Sequence, residues 1–105
     1  MNILFVCSRN KKRSRTAETI FRDKEGHKVL SAGTEENAQQ RVTEKLLNWA
    51  ELVLVMEKVH KGKLRYKYGS LLADKELVVL NIPDEYEYMD DELVAMLQDM
   101  MEGYW

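Results

Sequence analysis

The chain has 105 residues, one cysteine and one proline, and its 16 Lys plus Arg against 18 Asp plus Glu leave a net charge of −2. That length suits one domain with one core, so residues 1–105 are read as a single domain. A hydrophobic share of 45% places the chain among globular rather than disordered proteins. One cysteine excludes an internal disulfide framework and an all-cysteine metal site. The apolar run at residues 3–7 is too short for a signal peptide or a membrane span, so the expected setting is the reducing cytoplasm, with no membrane partner.

Residues 2–6 are a short apolar run that suits a strand buried on both faces. Residues 14–25 follow with helical spacing: Ala17, Ile20 and Phe21 fall on one stripe, and Gly26 ends the pattern. Residues 28–31 predict a second strand, stopped at Ala32 and Gly33. Asn37 is positioned to cap a helix running to about Trp49, with Ala38, Val42, Leu46 and Trp49 on its apolar side. Residues 52–56 predict a third buried strand, and residues 58–68 a basic helix ended by Gly69. Residues 77–80 predict the fourth strand. Pro83 then breaks the pattern. The last helix spans residues 90–101, with Leu93, Met96, Leu97, Met100 and Met101 apolar and Asp90 and Asp91 favourable at its start.

Alternating strands and helices of this kind predict a three-layer α/β fold. The expected core is a four-stranded parallel sheet, order 2-1-3-4, with helices on both faces. Such sheets bind ligands beyond the carboxyl ends of their strands.

The near-neutral total hides blocks of charge. Residues 8–15 hold five cations (Arg9, Lys11, Lys12, Arg13, Arg15) and no carboxylate, while residues 82–105 hold eight carboxylates and no Lys or Arg. Residues 57–67 are again basic and read as a solvated helix face. The first block lies where the first strand ends and a helix begins. A loop closing onto a helix N-terminus aims main-chain N–H groups at one spot and makes an anion site. Arg13 adds a planar fork for two phosphate oxygens. Cys7 lies at the floor of that positive site, where the nucleophilic thiolate is favoured, and Ser14 is placed to donate a hydrogen bond to it. A cysteine ending a buried strand is also an ordinary small core residue, and the spacing from Cys7 to Arg13 is short. The strand before and the helix after favour the phosphate site.

Residues 4–18 (LFVCSRNKKRSRTAE) resemble the signature of the low-molecular-weight protein tyrosine phosphatases, matching at Cys7, Asn10, Arg13, Ser14, Ala17 and Glu18. Residues 31–34 (SAGT), 50–57 (AELVLVME) and 82–86 (IPDEY) resemble that family's later segments, in order. The resemblance implies a metal-free, cofactor-free phosphatase. Cys7 would be the nucleophile, Arg13 would hold the phosphoryl oxygens and Asp84 would be the general acid. Ser8, Arg9, Asn10, Lys11, Lys12 and Ser14 would form the phosphate loop, and Tyr86 would wall the pocket. The implied partner is a phosphorylated substrate, either a phosphotyrosine protein or a small phosphate ester. The family's usual glycine, second cysteine and proline are here Arg9, Lys12 and Arg15. A site that positive also suits a substrate with several phosphates or a nucleic-acid end. Two other readings share the fold: a phosphate- or nucleic-acid-binding module without turnover, and a phosphocysteine carrier domain. Arsenate reduction fits poorly, because its chemistry needs further cysteines. His27 and His60 read as surface residues, and Trp49 as core.

Overall fold

A computed structural model describes all 105 residues. Its four strands are β1 (Asn2–Cys7), β2 (Lys28–Gly33), β3 (Leu52–Val55) and β4 (Glu76–Val79). They form one parallel sheet in the order β2-β1-β3-β4. The helices are α1 (Arg13–Phe21), α2 (Glu44–Trp49), α3 (Lys58–Tyr68) and α4 (Asp91–Met101). Short 3-10 turns follow α3 and α4.

Side chains alternate across a strand, so β1 feeds two cores. Ile3, Phe5 and Cys7 join Ala17 and Phe21 of α1 and Leu93, Leu97 and Met101 of α4. Leu4 and Val6 face the other way, toward Leu47 of α2 and Leu64 of α3. Both faces are therefore covered, which is why β1 and β3 read as continuous apolar runs.

Most elements lie where the pattern puts them, and the differences have local causes. The helix expected from Asn37 begins only at Glu44, because Thr43 is the residue that caps it, accepting the Leu46 N–H at 3.1 Å. Residues 34–42 instead run as irregular chain along the end of the sheet. α1 stops at Phe21, short of Glu25, and Gly26 takes a positive φ of 82° before β2. Trp49 is half-buried rather than core, and Met100 lies on the outer side of α4 at 38% exposure.

The sheet order makes β1 the switch point, with the chain passing to β2 on one side and β3 on the other. The carboxyl end of β1, from which residues 7–13 lead, then lies between those of β2 and β3. Gly33, at the end of β2, touches that loop: a Cβ there would lie 2.4 Å from Ser8 O and 2.7 Å from Ala38 Cβ. Gly33→Ala is expected to push the loop off the sheet. Overpacking of this kind costs ~1–3 kcal/mol, which thermal unfolding would read as a drop of several degrees, with weakened binding of inorganic phosphate by calorimetry. An unchanged midpoint and phosphate affinity would refute the contact.

Candidate active site

The loop after β1 is shaped by where its carbonyls go. Cys7 O accepts the Thr34 N–H at 3.0 Å, Ser8 O the Glu35 N–H at 2.9 Å, and Arg9 O the Gln39 N–H at 3.0 Å. In a planar trans peptide the N–H points opposite its carbonyl. With the three carbonyls turned to residues 34–39, the N–H groups of Ser8, Arg9 and Asn10 turn the other way. Asn10 shows the result, for its N–H reaches Cys7 Sγ at 3.3 Å. Asn10 is also the loop residue with positive φ, at 59°, a conformation that asparagine tolerates better than most residues. Arg9, in the family's glycine position, is not among the residues with positive φ, so its side chain brings no backbone strain.

Beneath the loop lies a buried polar chain. Ser31 donates to Glu18 Oε1 at 2.6 Å. Its proton is thereby used, so Ser31 Oγ accepts from Asn10 Nδ2 at 2.8 Å. The same amide nitrogen donates to Ser14 Oγ at 2.8 Å. Ser14 therefore keeps its own proton to donate, and Cys7 Sγ lies 2.9 Å away, nearer than Ala32 O at 3.4 Å. The Glu18 carboxylate, an obligate acceptor, thus sets the direction of the bonds through Ser31 and Asn10 to Ser14.

Arg13 is 2% exposed. Its Nη1 donates to Glu57 Oε1 at 2.5 Å and to Ile82 O at 2.9 Å. Both Nη1 protons are used, which leaves the Nε–Nη2 edge as the free fork. Asp84 Oδ1 lies 3.9 Å from Nε, too far for a hydrogen bond, and its side chain is 67% exposed.

A cleft of about 260 Å³ opens above the sulfur, lined by Cys7, Ser8, Arg9, Lys11, Lys12, Arg13, Glu35 and Asp84. Most of the predicted site residues meet there. Asn10 and Ser14 do not line it; they are buried behind the loop and support it. Tyr86 does not line it either. Its ring packs against the core beside α4, and desolvation, helped by Glu92, Glu85 and Asp90, raises its phenol above the usual range. Lys12 is engaged by Glu87 at 2.6 Å, and that bond and charge raise its ammonium above the usual range.

Three contributors escaped sequence reasoning. Glu57 holds Arg13, and Glu35 lines the cleft while pairing with Lys63 at 3.0 Å. His60, expected at the surface, is fully buried. Its signal was available: Glu57 and His60 lie three residues apart at the start of α3, and His60 Nδ1 accepts the Glu57 N–H at 3.0 Å. His27 is half-buried, edge-on to Trp105 at 5.2 Å.

A family model described as low molecular weight phosphotyrosine protein phosphatase matches residues 2–48. Among solved structures, the tyrosine phosphatase Wzb from Escherichia coli K30, in complex with phosphate, superposes with a TM-score of 0.80 at 20% identity, covering 98% of this chain and 94% of that one. The YwlE arginine phosphatase from Geobacillus stearothermophilus gives a TM-score of 0.78 at 21% identity, covering 97% and 91%. A cysteine-to-serine mutant of YwlE arginine phosphatase with a phosphorylated active-site serine gives 0.75 at 23% identity, covering 98% and 95%. These likenesses establish the shared fold. No curated protein matches the sequence significantly.

Burial is the largest cause pushing the His60 imidazolium down to about 4 from 6.5, reinforced by Arg13 and Lys63 and opposed by Glu57 and Asp84. Between those two values the unfolded chain binds a proton that the folded protein refuses. Stability should therefore be complete above pH 6.5 and fall on acidification toward pH 4, by a total on the order of 3 kcal/mol. His60→Gln removes this contribution, so the unfolding midpoint of the variant should depend less on pH across that window. Parallel pH profiles for the two proteins would contradict the assignment.

Proposed function

We propose that the chain, whose residues 2–48 match the low molecular weight phosphotyrosine protein phosphatase model, is a cysteine-dependent phosphatase acting on phosphate monoesters. The observation that carries the reading is the convergence of the Cys7 sulfur, inward N–H groups and the free edge of Arg13 in one cleft that also holds Asp84. The phosphorylated active-site residue of the YwlE mutant supports a covalent intermediate at this loop.

The steps balance as follows. Cys7 thiolate attacks phosphorus, the bond to the leaving oxygen breaks, and protonated Asp84 gives that oxygen its proton. The loop N–H groups and the Nε–Nη2 edge of Arg13 hold the phosphoryl oxygens as charge redistributes, a case of prearranged donors. Asp84, now a carboxylate, takes a proton from the water that attacks the phosphocysteine. The sulfur leaves as thiolate, and the Ser14 hydroxyl, aimed by Asn10, donates to it.

The substrate follows from charge. Arg13 and Lys12 are paired with Glu57 and Glu87, but Arg9 and Lys11 form no ion pair at the cleft. Their free charge favours a leaving group that is itself anionic and opposes a cationic one. Of the activities named for the structural neighbours, tyrosine phosphatase therefore fits better than arginine phosphatase, whose leaving group is a guanidine. A phosphate flanked by further negative charge suits the rim best.

Turnover tests the chemistry. Cys7→Ser should abolish hydrolysis of para-nitrophenyl phosphate. Asp84→Asn should cost ~10²–10⁴-fold, and more for phenyl phosphate, whose leaving oxygen needs the proton, than for the nitrophenyl ester. Equal residual rates in wild type and both variants would end the reading. Charge preference is tested separately. The double variant Arg9→Ala, Lys11→Ala should lose more kcat/KM toward an acidic phosphotyrosine peptide than toward para-nitrophenyl phosphate, and added salt should shrink the difference. An equal loss on both substrates would argue against an anionic leaving group.

A further inference from the structure

His60 links α3 to the phosphate loop through both ring nitrogens. Nδ1 accepts the Glu57 main-chain N–H at 3.0 Å, and Nε2 lies 2.9 Å from Ser8 Oγ. A nitrogen that accepts a hydrogen bond carries no proton, so the single proton of the neutral ring belongs to Nε2. Nε2–H therefore donates to Ser8 Oγ. His60 then offers no acceptor to the Ser8 proton, so the Ser8 O–H must point elsewhere. Ser8 lines the cleft above Cys7, and His60 is the one hydrogen-bond partner of its hydroxyl.

We propose that His60 is a positioning residue, held as its Nε2–H tautomer, that turns the Ser8 O–H into the cleft as a fixed donor to a phosphoryl oxygen. The proposal rests on the phosphatase reading and adds a side-chain donor to the main-chain N–H groups of the cradle. A free serine hydroxyl has three staggered positions. One held by a buried ring needs no reorganisation when the anion arrives. The charged groups facing this ring are Arg13, Glu57, Lys63 and Asp84, and the first two bind each other at 2.5 Å. The first turn of α3 thus serves both ends of the loop, through Glu57 to Arg13 and through His60 to Ser8.

Two measurements test this. Imidazole ¹⁵N NMR at neutral pH should show a protonated Nε2 and a bare Nδ1 for His60; the opposite tautomer would overturn the proposal whether or not the protein turns over substrate. The second is a double-mutant cycle read by inorganic phosphate affinity and by kcat/KM. Ser8→Ala and His60→Gln should each cost about tenfold, the worth of one hydrogen bond to a charged group. The double variant should be no worse than either single, because His60 acts through Ser8, and Ser8→Thr should keep most of the affinity. Losses that multiply to about a hundredfold would make His60 merely structural. If His60→Gln does not fold, Ser8→Ala against Ser8→Thr still decides, since equal phosphate affinity in the two excludes a hydroxyl donor. Phosphate binding without turnover in the wild type would sink the phosphatase reading and leave this cycle intact.

Discussion

The whole site depends on three carbonyls pointing outward. Residues 34–39 take up the oxygens of Cys7, Ser8 and Arg9, and peptide planarity does the rest. In an anion cradle made of main-chain N–H groups an N–H without a protein acceptor is costly, and here Asn10 meets one, the Cys7 sulfur. The loop stays open because its other half is over-determined. The carbonyl side is bonded to the segment after β2, Gly33 allows that segment to lie flat against Ser8, and Asn10 supplies the left-handed turn. The irregular path of residues 34–42 has the same cause. A helix there would keep its N–H groups for itself, beyond its first turn, and leave the loop carbonyls unpaired.

A buried guanidinium would be unfavourable without partners. Arg13 has two on one nitrogen, and they come from different strands: Glu57 just beyond β3 and Ile82 just beyond β4. Position and charge balance are therefore set by the sheet rather than by the loop itself. The same arrangement fixes which edge of the guanidinium is free. The acidic segment after Pro83 is likewise tied to α1, through Lys12 to Glu87, Thr19 to Tyr88 at 2.8 Å, and the Met89 N–H to Thr16 Oγ1 at 2.9 Å. Asp84 is carried to the cleft by a loop anchored on the helix that follows Cys7.

The fold was legible because its strands are buried on both faces and so appear as unbroken apolar runs, separated by residues with helical spacing. The Cys7 to Ser14 segment was legible for a similar reason: its parts are adjacent in sequence, and the chemistry needs them adjacent. What stayed hidden depends on contacts across long separations. Arg13 and Glu57 are 44 residues apart, and Ser8 and His60 are 52 apart. The Glu57–His60 spacing was the one local sign that this histidine turns inward, and the lysines around it on α3 masked it. Tyr86 is the converse case: the resemblance implied a pocket wall, but its ring packs against the core.

The departures from the family pattern change meaning in this setting. Arg9 occupies a backbone position that requires no glycine, so it alters the rim and leaves the cradle alone. Lys12, where the resemblance places a second cysteine, is joined to Glu87 and helps fasten the segment that carries Asp84 to the start of α1. With no second thiol in the chain, an oxidised Cys7 has no internal partner and its recovery must use an external thiol. The substitutions thus leave the Cys7, Asn10, Arg13 and Ser14 arrangement in place and add charge at the mouth of the cleft. Arg9 and Lys11, free of carboxylates, are where that charge is available to a substrate.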